Sequence, residues 1–123
     1  MKHTTLKLIG SYLLVLLFLL ICSSAKAQSP CGDKLCVVQF NAGWNADNEV
    51  TWIEDLTDCS KKSILIDNGD WQKKYGIVVV PTVIIFNEGE EVKRYQADIS
   101  FTLPATQEEV QGKIDEIVLE SSY

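Results

Sequence analysis

The stretch Tyr75-Gly76-Ile77-Val78-Val79-Val80-Pro81-Thr82-Val83-Ile84-Ile85-Phe86-Asn87-Glu88-Gly89-Glu90 decides the fold. Gly76 ends one or two helical turns over Trp71 to Tyr75, since glycine takes the left-handed conformation that closes a helix without steric cost. Thr82 to Phe86 and Glu91 to Gln96 then flank the connection Asn87-Glu88-Gly89-Glu90, which predicts a β-hairpin. Upstream, Asn68-Gly69-Asp70 is a turn signal, Ser63 to Asp67 reads as a strand, and Leu35-Cys36-Val37-Val38-Gln39-Phe40 reads as a buried strand. Between these strands Val50, Ile53 and Leu56 recur at helical spacing behind Asn45 as N-cap, with Asp47 and Glu49 in the first turn. That predicts a helix of about ten residues. Downstream, residues 97–105 form a loop, and Val110, Ile114, Ile117 and Val118 describe an amphipathic terminal helix, with Thr106 and Glu109 as a capping box. The predicted order is β-α-β-(α)-β-β-α. It describes an α/β domain with a mixed sheet of about four strands, the crossover pair parallel and the hairpin antiparallel.

The first residues read differently. Lys2 and Lys7 precede an apolar run from Leu8 to Cys22, and Ser23 to Ala27 follow, with small residues at Ala25 and Ala27. This is the layout of a secretory signal peptide over residues 1–27, with cleavage before Gln28 and one domain over 28–123. An uncleaved anchor is the rival reading, and Ile21 fits poorly with acylation of Cys22. Export places the protein in the periplasm of a Gram-negative bacterium, or otherwise outside the cell. Lys2, Lys7 and Lys26 leave with residues 1–27 and no acid does, so the formal charge falls from −6 to −9. An acidic domain repels phosphate backbones and anionic lipid heads, which argues against nucleic acid and, after cleavage, against membrane binding. The one histidine, His3, leaves as well. Without histidine there is no Ser-His-Asp or Cys-His activation and no imidazole for a metal, so neither cofactor nor metal is expected. Asp67 and Asp70 lack the calcium-loop pattern, and Glu88, Glu90, Glu91, Lys93 and Arg94 read as a solvated hairpin edge.

Two segments carry a resemblance. Val37-Val38-Gln39-Phe40-Asn41-Ala42-Gly43-Trp44-Asn45-Ala46-Asp47-Asn48 is similar to the thioredoxin stretch VDFWAxWCGPC, and Tyr75 to Glu90 resembles the same family's YGIxxxPTxxxFxxGE. The resemblance spans about residues 35–118 and implies a thioredoxin-like fold whose first strand and helix are missing or reduced to residues 28–34. It also marks the departures. Asn45 and Asn48 replace the two redox cysteines, and Gln39 replaces a buried acid that serves as proton carrier. An amide supplies no thiolate and exchanges no proton near neutral pH, so this motif is expected to carry no catalytic residue. The resemblance further implies a cis peptide at Pro81 and an extended peptide paired with the backbone of Val80. Trp44 would then wall the groove, and Asn45 and Asn48 would offer donors and acceptors. The plainer alternative is that Pro81 fixes the sheet, Trp44 packs and Asn45 caps a helix.

Cys31, Cys36 and Cys59 remain outside the leader, and in an oxidising compartment they are disulfide candidates. All three are expected at the end of the sheet opposite Asn45. A staple joining Cys59 to Cys31 or Cys36 is the first expectation, and strand alternation decides whether Cys59 reaches Cys36. The alternative is a relocated redox pair, Cys31 with Cys36. The sequence thus predicts an exported thioredoxin-like protein without exchange chemistry at its usual motif, binding an extended peptide or protein at the Val80-Pro81 groove. The competing functions are a thiol-disulfide oxidoreductase acting through Cys31, Cys36 or Cys59 and, third, a purely structural domain of a larger assembly.

Overall fold

The computed structural model describes residues 28–123, and the expectations for residues 1–27 lie outside the described residues. Four strands form one sheet in the order β2-β1-β3-β4: β1 (Cys36–Asn41), β2 (Ser60–Leu65), β3 (Thr82–Asn87) and β4 (Glu90–Gln96). β1 pairs in parallel with β2 and antiparallel with β3, and β3 pairs antiparallel with β4. The mixed sheet expected from the sequence is therefore present. Every residue of β1 is buried, as a central strand covered on both faces requires. β2 begins at Ser60, earlier than its hydrophobicity suggests. It is an edge strand, and its backbone pairing with β1 from Cys36 opposite Ser60 sets its extent while Ser60 to Ser63 face solvent.

Side chains alternate across the sheet and build two cores. On one face Cys36, Val38, Phe40, Ile84 and Phe86 pack with Tyr75, Ile77 and Val80, under helix α1 (Trp71–Tyr75). Gly76 closes α1 in the left-handed region, at φ 60° and ψ 46°. On the other face Val37, Val83 and Ile85 meet Val50, Ile53 and Leu56, with Val110, Ile114 and Ile117 of helix α2 (Gln107–Ser121). Thr106 caps α2, its hydroxyl accepting from the Glu109 N–H at 3.2 Å. The hairpin turn is tighter than the sequence implied. Glu88 and Gly89 alone connect the strands, both at positive φ (54° and 84°), the pair of values a two-residue turn of matching twist demands.

The helix expected after β1 is absent. Two 3₁₀ segments, Gly43–Asn48 and Thr51–Asp55, replace it, and Ala42 rather than Asn45 stands at the N-cap. The reason lies in Gln39, only 1% exposed. Its Oε1 accepts from the Val50 N–H at 2.7 Å and its Nε2 donates to the Val50 carbonyl at 3.1 Å. Both backbone groups that would carry an α-helix through Val50 are spent on one side chain, so the ladder breaks there. Asn45, Asp47, Asn48 and Thr51 add to this, since short polar and β-branched side chains favour local bonds over helix interiors.

Replacing Gln39 by Leu strands a buried donor and a buried acceptor, and is expected to cost about 2–4 kcal/mol in urea unfolding. Gln39→Glu tests the same pairing through pH. Only a protonated carboxyl can both accept from the Val50 N–H and donate to its carbonyl, so the folded protein raises that carboxyl's pKa. The variant is expected to lose stability relative to the parent as pH rises above about 4.3, the ordinary glutamate value. Equal stability differences at pH 4 and pH 8 would contradict the pairing.

Candidate functional site

At the end of the sheet where β1 leaves Asn41, three asparagines form a knot in which Asn41 and Asn45 are buried. The Asn45 amide is 4% exposed and its Nδ2 lies 3.1 Å from Asn41 Oδ1, 3.3 Å from the Val80 carbonyl and 3.1 Å from the Phe101 carbonyl. Two hydrogens are thus shared among three acceptors. The Oδ1 of Asn45 accepts from Asn48 Nδ2 at 2.8 Å, and Asn41 Nδ2 donates to the Asn45 carbonyl at 3.1 Å. Asn45 adopts φ −112° and ψ 23°, outside helical values, because its side chain answers to these partners and not to a helix. The expected N-cap role is replaced by that of a cross-link between β1, the segment leading into β3, and the loop after β4.

The sequence reading placed Trp44, Asn45, Asn48, Val80 and Pro81 together, and the structure brings them to one end of the sheet. It does not present them alike. Asn45, Val80 and Pro81 are buried, Asn48 is half-buried, and Trp44 alone is open to solvent. The Val80–Pro81 peptide is cis. The Val80 carbonyl already serves Asn45, whereas its N–H meets no acceptor among the described residues. The Pro81 carbonyl accepts from the Ala97 N–H at 3.0 Å, continuing the β3–β4 ladder by one step.

The loop after β4 is the element that sequence reasoning left without a role. Asp98 organises it: one carboxylate oxygen accepts from the Ser100 N–H at 2.9 Å and from the Ser100 hydroxyl, and the Thr102 hydroxyl donates to it at 3.2 Å. These bonds, led by the Ser100 hydroxyl, hold the Asp98 carboxyl below the usual carboxylate range. Phe101 sits at φ 61°, a left-handed backbone that a bulky side chain rarely adopts. Its carbonyl is held by Asn45, its N–H donates to the Asp98 carbonyl at 3.1 Å, and its ring meets Trp44 edge-to-face at 5.0 Å. Solvent therefore meets Trp44 (66% exposed), Phe101 (42%), Ile99 (99%) and Val78 (84%) in the loops at this end. The signal in the sequence was the alternation Asp98-Ile99-Ser100-Phe101-Thr102, in which polar residues knit the loop and apolar ones point out.

The cysteines differ from the first expectation. Cys31 is bonded to Cys36, with Cα atoms 6.4 Å apart, and Cys59 is a free thiol. Cys36 belongs with Val38 and Phe40 on the α1 face, whereas Cys59 packs on the opposite face beside the α2 core, so the sheet itself separates them. Burial pushes the Cys59 thiol up, Lys61 opposing and Asp58 adding to the shift, which leaves it a poor nucleophile near neutral pH. Gly32 and Asp33 lie within the disulfide loop, which the Glu88 N–H on the Asp33 carbonyl joins to the hairpin turn, and just before the loop the Ser29 N–H donates to the Gly89 carbonyl, both at 3.2 Å. Beside it is a cleft of about 680 Å³ lined by Asp33, Tyr75, Glu88 and Glu90, to which neither sulfur contributes. No cluster of three or more His, Cys, Asp or Glu side chains is placed to hold a metal among the described residues.

Two outcomes are expected. Thiol titration of residues 28–123 finds one reactive group before reduction and three after it; three before reduction would refute the pairing. Asn45→Ala frees the Val80 and Phe101 carbonyls and is expected to cost about 1–3 kcal/mol. It should also shift Trp44 emission to the red and speed amide exchange across residues 98–102, with the strands unaffected.

No family model matches the chain, and no curated protein matches it. Among solved structures it is similar to thioredoxin O1 from Arabidopsis thaliana in the oxidized state, at 21% identity over 79% of this chain and 87% of that one, with a TM-score of 0.48. It is also similar to Fasciola hepatica thioredoxin, at 19% identity over 78% of this chain and 86% of that one, again with a TM-score of 0.48. The sheet order β2-β1-β3-β4, one parallel and two antiparallel pairs, helices on both faces and a proline leading into β3 make this chain an α/β domain arranged as the resemblance in the sequence implies.

Proposed function

We propose that the protein is an exported, thioredoxin-like binding domain that performs no thiol-disulfide exchange at residues 45–48 and takes an extended peptide or protein segment across the face around Trp44. Disulfide exchange needs a thiolate, and the position where one would act holds an amide whose donors are committed to Val80 and Phe101. The observation that carries the reading is Phe101. A bulky residue in left-handed backbone costs of order 1–3 kcal/mol and persists only where its surroundings impose it, commonly at functional sites. Here the strain presents an apolar ring against an exposed tryptophan. Tryptophan and its neighbours at the centre of an apolar face are the usual anchors of protein recognition. The buried Val80 carbonyl argues that a partner meets the side chains of Trp44, Val78, Ile99 and Phe101 first, with the Val80 N–H among the backbone donors left for an extended strand.

A second reading, a thiol-disulfide oxidoreductase, is favoured by one observation, the Cys31–Cys36 disulfide. Its surroundings suit a staple better. Cys36 is fully buried, Cys31 is half-buried, and closing so short a loop contributes about 2 kcal/mol to a small domain.

Insulin reduction separates the two. The expected rate is that of the uncatalysed reaction, unchanged in Cys31→Ser and Cys36→Ser. Robust turnover that disappears in either variant would establish the second reading. On a positional peptide array, Trp44→Ser and Ile99→Ser are expected to weaken retained peptides about tenfold each, equivalent to about 1.4 kcal/mol.

A further inference from the structure

The loops that meet at the Trp44 end of the sheet carry one sign of charge. Residues 42–50, 66–70, 76–81 and 97–103 contain Asp47, Glu49, Asp67, Asp70 and Asp98 and neither lysine nor arginine. All eight basic residues of the described domain lie outside these segments: Lys34, Lys61, Lys62, Lys73, Lys74, Lys93, Arg94 and Lys113. Of these, Lys73 shares a cleft with Asp70 and Arg94 donates to the Gly76 carbonyl at 3.0 Å, so the uncompensated acids are Asp47, Glu49, Asp67 and Asp98. The acids are tied to the apolar face. Asp67 Oδ2 accepts the Gly43 N–H at 2.6 Å, next to Trp44 in the chain, and Asp98 bonds the two residues flanking Phe101. Asp47 stands exposed on the 3₁₀ segment that begins with Gly43 and Trp44, Glu49 stands exposed directly after it, and none of the five is ion-paired among the described residues. The two ion pairs that do form there, Glu91–Arg94 and Lys113–Glu116, lie on β4 and α2.

Resting on the binding role proposed above, we propose that this face selects a polypeptide segment in which an apolar side chain is flanked by lysine or arginine. The apolar centre removes its anchor from water, and the unpaired carboxylates around it attract the flanking cations, which raises the association rate and penalises acidic competitors. Exposed charges are screened within about 8–10 Å at ordinary ionic strength, so the selection is strongest at low salt.

The test uses the purified protein and three fluorescein-labelled heptapeptides sharing a Val-Phe-Val centre, flanked on both sides by paired lysines, paired serines or paired glutamates. Anisotropy titration at 20 mM and 500 mM salt is expected to show the lysine peptide binding about tenfold more tightly than the serine peptide at low salt. The glutamate peptide should be weakest, and the spread should narrow at high salt. The pair Asp47→Asn with Glu49→Gln should remove most of the lysine preference, and Trp44→Ser should weaken every peptide. The control pair Glu88→Gln with Glu90→Gln, at the opposite end, should change nothing. Equal binding of all three peptides, still sensitive to Trp44→Ser, would overturn the charge selection and leave the binding role standing. A lysine preference reduced equally by the control pair would reflect overall charge and would also overturn it. Binding of none of the three would overturn both.

Discussion

A primary amide offers two N–H donors and holds no proton it can release near neutral pH, and at Asn45 both properties shape the end of the sheet. The donors reach the Val80 and Phe101 carbonyls and Asn41, so the start of β3, the end of β1 and the loop after β4 close on one buried atom. A thiol at this position would be a weaker donor with a single hydrogen, and could not hold three partners. One amide thus both puts no thiol at this position and fixes the loops that bear the apolar surface.

Gln39 repeats the pattern one turn of the chain away. By resemblance an acid belongs there to move protons. The glutamine instead satisfies both backbone groups of Val50 and breaks the crossover into two short 3₁₀ segments. Buried amides are costly unless every donor and acceptor is met, and in this domain they are met by backbone that a helix would otherwise claim. The crossover is therefore shorter in helix and richer in side-chain-to-backbone bonds than its hydrophobic spacing implies. Val50, Ile53 and Leu56 still reach the core, because they stand three apart at the N-cap, middle and C-cap of the second 3₁₀ segment, where residues three apart line up on one side.

The disulfide follows from strand alternation. Cys36 faces α1 with Val38 and Phe40, Gln39 faces the other way, and Cys59 enters β2 on the side where Val37 packs. Cys31 lies on a lead-in free to fold over the α1 face, where it closes on Cys36 and where hydrogen bonds join the lead-in to the hairpin turn. The two ends of the sheet consequently differ in kind: one is stapled and mixed in charge, the other apolar, acidic and held by amides.

The sequence alone determined the strands, the hairpin, the terminal helix with its Thr106 cap, and the absence of a thiol from residues 45–48. Each of those rests on local periodicity, turn chemistry or residue identity. The tertiary structure decided what depends on contacts between distant segments. Gln39 and Val50, eleven positions apart, unmade a helix that local spacing predicted. Cys59 was kept from Cys36 by a sheet whose covered faces no single strand reveals. Phe101 was brought to Trp44 by Asn45, fifty-six positions before it. Periodicity reports which side of an element is apolar; only the assembled fold reports which polar group lies across from it, and in this protein buried amides made those choices.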